Sequence, residues 1–235
     1  MLCGNNVLMD QDNIVTIDGP TGSGKSTVGK LLAGRIGFTY LDTGAMYRVV
    51  ALETSRSGID PADCAALSRL CATIRIAFKD GSGTRVYSGD EDVTEAIRTQ
   101  QISMLASRVS AEKCVREELV RLQRDCGRQG RIVVDGRDAG TVIFPCARFK
   151  FYLDADAEVR SRRRYKELIE KKQEVAYSVV HQELIKRDQD DSSRALAPLK
   201  PAPDAVIIDT TGMTVEEVVQ AMLTKIDART LHCHK

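Results

Sequence analysis

The sequence predicts an α/β domain in which helices cover both faces of a five-stranded parallel sheet. Three observations carry this. Five short apolar runs alternate with stretches of helical periodicity, the pattern of strands buried on both sides. The first run leads at once into "GPTGSGKS", residues 19–26, with three glycines and a lysine ahead of a helix. One stretch breaks the alternation: residues 74–98 alternate apolar and polar side chains between Gly81, Gly83 and Gly89, which marks a small inserted β meander.

The elements follow in order. A first strand is expected over 13–17, closed by Asp18-Gly19-Pro20. From Lys25 to about Gly37, Val28, Leu31, Leu32 and Ile36 recur at helical spacing. A second strand over 39–41 leads into a helix opened by residues 42–44 and stopped by Gly58. Asp60-Pro61 reads as the next helix start, with Asp as N-cap and Pro in the first turn. Beyond the meander, helices are expected over 99–108 and 110–126. The second places Val115, Leu119, Leu122 and Cys126 on one face and ends at Gly127. "RIVVDGRD" (131–138) and "FKFYLDAD" (149–156) give the third and fourth strands. A highly charged helix over about 156–172 and another over 179–187 follow, then a fifth strand in "PDAVIIDTTG". Thr214 and Glu217 form a capping box for the last helix. The length of 235 residues suits one such domain, 1–235, with the insertion at about 74–98.

Bulk properties narrow the partners. A formal net charge of +1 provides no global field for nucleic acid or an acidic membrane. No apolar run approaches the ~18 residues that span a bilayer. The start lacks a basic segment followed by an apolar one, so no signal peptide is expected. The seven cysteines are odd in number and form no C-x-x-C pair, which predicts reduced, mostly buried thiols in a cytoplasmic protein. Of the three histidines, His181 is expected on a solvated helix face, and His232 and His234 lie in a tail with Cys233 that reads as frayed chain rather than a metal site.

Residues Gly19, Pro20, Thr21, Gly22, Ser23, Gly24, Lys25 and Ser26 match G-x-x-x-x-G-K-[ST] between a strand and a helix, with Thr27 continuing into that helix. This is the phosphate-binding loop of P-loop NTPases. The glycines let backbone N–H groups turn towards phosphates, and the helix adds its positive end. Lys25 reaches the β and γ phosphates, and the Ser26 hydroxyl can ligate Mg²⁺. Asp135, at the end of the third strand, stands where a Walker-B type acid would, near the metal. The guanine-reading N-K-x-D of GTP switches is missing.

The acceptor is read from "DTGAMYR" (42–48), "DGRDAG" (135–140), "RDQDDSSR" (187–194) and "VRSRRRYK" (159–166), each carrying arginine. An alcohol acceptor needs a base and little positive charge. A phosphate acceptor, with a second pKa of about 6, is already anionic and needs its repulsion cancelled. Two unit charges ~4 Å apart repel by roughly 4 kcal/mol at an effective dielectric near 20, and arginine forks answer that demand. Nucleic-acid binding through 159–172, or an ATP-driven switch, is disfavoured by the neutral balance and the 5% aromatic content.

Taken together, these segments resemble bacterial cytidylate kinases, within the nucleoside monophosphate kinases. The resemblance runs from Ile14 to about Ala228, through "IDGPTGSGKST", "LDTGAMYR", "VTEAIRTQ", "DGRDAGTVIFP", "RDQDDSSRALAPL" and "DAVIIDTT". It implies ATP-dependent, Mg²⁺-assisted phosphorylation of CMP and dCMP by a monomer with no nucleic-acid or membrane partner. It also implies a mobile helical lid, about 164–201, and a monophosphate-binding insertion. Arg48, Arg137 and Arg194 are implied as clamps on the acceptor phosphate, and Arg187 and Asp191 as lid residues meeting the nucleotide sugar and phosphate. Lys25, Arg137, Arg187 and Arg194 would be the catalytic set. Arg160 and Arg164 share a helix face (i, i+4) towards ATP, with Arg163 nearby. Ser107, Arg116 and Asp138 are implied as cytosine readers, and Thr43 as a bond to base or phosphate. Cytosine suits that set: its N4 amino group donates to a carboxylate, while N3 and O2 accept. Uracil would set O4 against Asp138, a mismatch costing ~1–3 kcal/mol.

Overall fold

In this computed structural model, which describes residues 13–79, 85–170 and 172–231, β1 (Ile14–Asp18) passes through the glycine loop into α1 (Lys25–Ile36), and β2 (Thr39–Asp42) into α2 (Thr43–Arg56). Helix α3 (Cys64–Thr73) precedes three short strands, β3 (Ile76–Lys79), β4 (Arg85–Ser88) and β5 (Glu91–Asp92). Helices α4 (Gln100–Val109) and α5 (Lys113–Cys126) lead to β6 (Ile132–Gly136) and β7 (Phe149–Asp154). The helical hairpin α6 (Ala157–Glu170) and α7 (Tyr177–Ser193) comes next, then β8 (Val206–Asp209) and α8 (Val215–Leu231).

The main sheet has the order β2-β6-β1-β7-β8 and every pair in it is parallel. Its alternation sorts two cores. Val15 and Ile17 of β1 join Val133, Phe151, Val28, Leu32 and Met222 on the α1/α8 side. Ile14 faces the other way, with Val134, Val49, Val50 and Leu119 from α2 and α5. Each such fully buried branched side chain contributes roughly 1.5–3 kcal/mol. The register sets Ile17 beside Asp135 and Asp18 beside Gly136, and Asp42 beside Asp135. Three carboxylates thus gather at the carboxyl ends of adjacent strands, where open α/β sheets bind ligands. The strands β3, β4 and β5 form a separate antiparallel sheet.

Several expectations are corrected. Helix α3 starts at Cys64, capped by Asp63, whose Oδ1 accepts the Ala66 N–H at 2.9 Å. Asp60 instead accepts from Ala62 at 2.9 Å in the preceding turn, because the helix begins only where Leu67 and Cys71 can be buried. Helix α5 begins at Lys113 rather than 110, and residues 96–98 form a 3₁₀ turn. His181 is not on a solvated face: its Nδ1 lies 3.0 Å from Ser161 Oγ and its ring stacks on Tyr177. Cys71 is buried, whereas the free thiols of Cys64 and Cys126 are exposed, and Cys146 is disulfide-bonded, against the expectation of reduced thiols. Cys3 and the 232–234 tail lie outside the described residues. The Thr214 capping box forms, with Thr214 N–H donating to Glu217 at 2.8 Å. Among the described residues, no helix is long and apolar enough to cross a membrane.

Candidate active site

The glycine loop is held against the sheet and against α6. A Cβ on Gly19, at φ 148°, would lie 2.0 Å from the Leu153 carbonyl oxygen, and one on Gly22, at φ 79°, 2.8 Å from that of Arg160. Only glycine permits both approaches. Helix α1 has Gly24 as N-cap and no side-chain cap, so its first N–H groups are left for an anion. Lys25 is buried and folded over the loop, its Nζ donating to the Pro20 carbonyl at 2.6 Å and to Ser23 Oγ at 3.4 Å. Burial, and next the neighbouring Arg137, bring its ammonium down to about 7.

The proposed metal-side pair meets directly. Ser26 Oγ donates to Asp135 Oδ2 at 2.6 Å, and Tyr40 OH donates to the same oxygen at 2.7 Å. Burial, then the Asp135 charge, holds the Tyr40 phenol well above its usual value, so it remains a donor. Thr43 Oγ1 donates to the Asp135 carbonyl at 2.7 Å, which turns its hydroxyl to the strand end.

Opposite the loop, arginines from α2, the end of β6 and α7 line one cavity of about 220 Å³. Arg48, on α2, donates to Asp42 at 3.0 Å. Arg137, just past β6, donates from Nε to Asp191 at 2.9 Å and from Nη2 to Thr21 Oγ1 at 2.8 Å. Arg194, at the end of α7, pairs with the other Asp191 oxygen and reaches Ser107 Oγ at 3.4 Å. Arg187 lies among them. Burial, then repulsion from Arg137, lowers it to about 10. The Nε atoms of Arg187 and Arg48 are buried without a hydrogen-bond partner. Burial pushes the Asp191 carboxyl up, but Arg137, Arg194 and Arg187 together outweigh it and hold it below the usual carboxylate range. The cavity lining includes Lys25 and six arginines against five carboxylates, an excess of cation suited to phosphates.

The far end of the cavity is built differently. Arg116, 6% exposed, pairs with Asp138, 4% exposed, and its guanidinium stands 5.7 Å over the Tyr47 ring. Burial raises the Asp138 carboxyl, offset by Arg116 and Arg194. Ser107 lines the same cavity.

The crowded arginines of α6 separate. Arg160 is buried and its donors face the Ala155 carbonyl at 2.8 Å, the Thr21 carbonyl at 3.1 Å and Asp188. It braces the outside of the loop and does not line the cavity. Arg163 donates to the Thr210 carbonyl at 2.6 Å, and Arg162 pairs with Glu158 on the surface. Arg164 does line the cavity, beside Glu167 at 3.0 Å. Gly19, Pro20 and Ser23 are set behind the lining formed by Thr21, Gly22, Gly24, Lys25, Ser26 and Thr27.

The family model for cytidylate kinase matches residues 15–228. The chain belongs to the cytidylate kinase family. A cytidylate kinase of Geobacter sulfurreducens is 53% identical over 210 residues, covering 89% of this chain and 90% of that protein. A cytidylate kinase of Citrifermentans bemidjiense is 47% identical over 217 residues, covering 92% and 93%. A crystal structure of an uncharacterised protein from Eubacterium ventriosum superposes with a TM-score of 0.52 at 12% identity, over 91% of this chain and 98% of that one, a likeness of fold alone. The P-loop kinase core, the parallel sheet and the kinase class of the sequence reading therefore stand for this cytidylate kinase family member.

Asp18, Tyr40 and Tyr47 are among the residues that escaped the sequence reading, as is Asp42, which holds Arg48. The first three are buried polar groups at or near the site. Asp18 accepts the Ala139 and Gly140 N–H groups at 2.8 Å each. Burial raises its carboxyl to about 7 in spite of those bonds. A carboxylate closing an apolar strand was the available signal for Asp18; nothing local marks Tyr40.

Proposed function

We propose that the chain transfers the γ-phosphoryl group of ATP to the phosphate of CMP or dCMP. The observation that carries this is the convergence of Arg48, Arg137, Arg187 and Arg194 opposite the glycine loop, with buried Nε donors of Arg48 and Arg187 left unpartnered. A buried unpaired donor on a cation is costly. Anionic oxygens entering the cavity satisfy it, and two phosphates can then approach in line despite their repulsion.

Each residue has a part in this reading. The loop N–H groups and Lys25 hold the ATP phosphates, and an anion there favours the charged form of Lys25. Arg48, Arg137 and Arg194 clamp the acceptor phosphate, exchanging Asp42 and Asp191 for its oxygens. Arg187, with Arg137 and Arg194, spreads the charge on the transferring group, and Asp191 meets the acceptor sugar. The acceptor phosphate needs no general base. Asp138 takes the cytosine amino hydrogens, and Arg116 and Ser107 donate to its ring acceptors. Arg164 serves the donor side; Arg160 acts on it through the loop.

The donor set fits Mg²⁺. Ser26 Oγ and Asp135 Oδ2 are hard oxygens 2.6 Å apart beside the loop, and a magnesium site made of one or two protein oxygens plus phosphates is usual. When bound, Mg²⁺ supplies charge neutralisation on the phosphates. Residues 164–201 form the lid, and its closure keeps water from the phosphoryl group. In this reading the enzyme works as a monomer on cytoplasmic nucleotides.

The test is an acceptor panel with purified enzyme, ATP and Mg²⁺: CMP, dCMP, UMP, AMP and shikimate. Strong preference for CMP and dCMP is expected. Comparable turnover of UMP would remove Asp138 from its role, and turnover of shikimate alone would replace the reading with an alcohol kinase.

A further inference from the structure

Asp18 closes β1 and reaches across to the turn behind β6. Its oxygens divide the work: Oδ1 accepts the Ala139 N–H and Oδ2 the Gly140 N–H, each at 2.8 Å. The side chain is buried, at 3% exposure. These two N–H groups belong to the residues directly after Asp138. The turn they open is wide, with the Asp138 carbonyl accepting from Val142 at 2.9 Å and the Ala139 carbonyl from Phe144 at 2.8 Å. Gly140 fits closely over the strand: a Cβ there would lie 2.8 Å from Thr16 Oγ1 and 3.3 Å from Asp18 Oδ2. The backbone on the C-terminal side of Asp138 is therefore clasped to β1, while the Asp138 side chain is paired with Arg116.

We propose that Asp18 is a positioning residue for base recognition: its two-pronged hold on the Ala139 and Gly140 N–H groups fixes where the Asp138 carboxylate meets the base of the acceptor nucleotide. This rests on the reading of Asp138 as a cytosine contact. Only a carboxyl group of this length brings one oxygen to each of the two N–H groups. Asparagine offers one carbonyl acceptor and turns an NH₂ donor at the other N–H. Glutamate has no room at a site this buried. Asp18 does not line the cavity, so it acts through the turn.

The experiment compares wild type, Asp18→Asn and Gly140→Ala as purified full-length enzymes, each checked by circular dichroism. Asp18→Asn should raise the KM for CMP about tenfold and lower the CMP-over-UMP ratio of kcat/KM by a similar factor, as expected when a buried N–H loses its hydrogen-bond acceptor. The KM for ATP should change less than the KM for CMP, since the N–H groups that lose their partner are those of Ala139 and Gly140, next to Asp138. Gly140→Ala strains the same clasp from the other side and should shift the ratio in the same direction. A merely structural role would lower kcat or the unfolding midpoint and leave the ratio alone. Should one variant not fold, the other decides. An unchanged ratio in the folded variants, with wild type selective for CMP, would overturn the proposal and leave the cytidylate kinase reading intact. A wild type with no preference for CMP would instead remove the role of Asp138, and this proposal with it.

Discussion

Arg137 donates from Nε to the Asp191 carboxylate at 2.9 Å, tying the end of the central β6 strand to the lid helix α7. Arg194 takes the other oxygen of the same carboxylate, so one buried anion holds two of the proposed phosphate clamps. Asp191 thereby occupies the electrostatic place of a substrate phosphate. Asp191→Asn should destabilise the fold by about 3 kcal/mol, the scale for breaking a buried pair. Added sulfate should then raise the unfolding midpoint more in the variant than in wild type. Equal sulfate effects in thermal melts would show that Asp191 does not stand in for an anion.

Arg194→Ala should act on turnover rather than on folding. Asp191 keeps Arg137 as a partner, so no charge is orphaned, while one donor to the transferring group is lost. A fall in kcat of at least about a hundredfold is expected, with the unfolding midpoint little changed. A variant with unaltered turnover refutes the assignment.

Asp135→Asn addresses the metal side. Ser26 and Tyr40 both donate to Asp135 Oδ2, so the substitution weakens the proposed site and disturbs two neighbours. The Mg²⁺ concentration for half-maximal activity should rise at least about tenfold. The readout is activity titrated with Mg²⁺ at saturating nucleotides, and an unshifted curve counts against Asp135.

Stability should carry the mark of Asp18. Its carboxyl is raised from 3.8 to about 7 by burial, partly offset by the Gly140 and Ala139 N–H groups. Between these values the folded protein keeps a proton that the unfolded chain releases. The unfolded state therefore binds fewer protons, and stability falls as pH rises from about 4 to 7, then levels off. Asparagine does not titrate, so the stability of wild type relative to Asp18→Asn should decline across that window. Urea denaturation of both proteins at pH 4.5, 5.5, 6.5 and 7.5 measures it. A constant difference would contradict the raised value.

Local chemistry was legible where partners are close in sequence. The glycine loop, the α1 helix behind it and the Thr214–Glu217 box involve residues within a few positions, and their residue types alone select the conformation. Asp60 and Asp63 show the limit of that rule. Both sit ahead of a helix, both accept a nearby N–H, and only burial of Leu67 and Cys71 decides which one caps it. The arginines of 160–164 were visible as a group. Their separation into a loop brace, a surface pair and one cavity residue depends on what α6 packs against.

The sequence by itself determined a P-loop kinase core, the identity of the phosphate-binding loop and the supply of arginines, because these rest on local spacing and side-chain chemistry. The tertiary structure decided which guanidinium faces which carboxylate, and that Asp18 grips a turn 121 residues away. Those partners are chosen by the strand order β2-β6-β1-β7-β8, and an order of that kind leaves no trace in the hydrophobic period of any single strand.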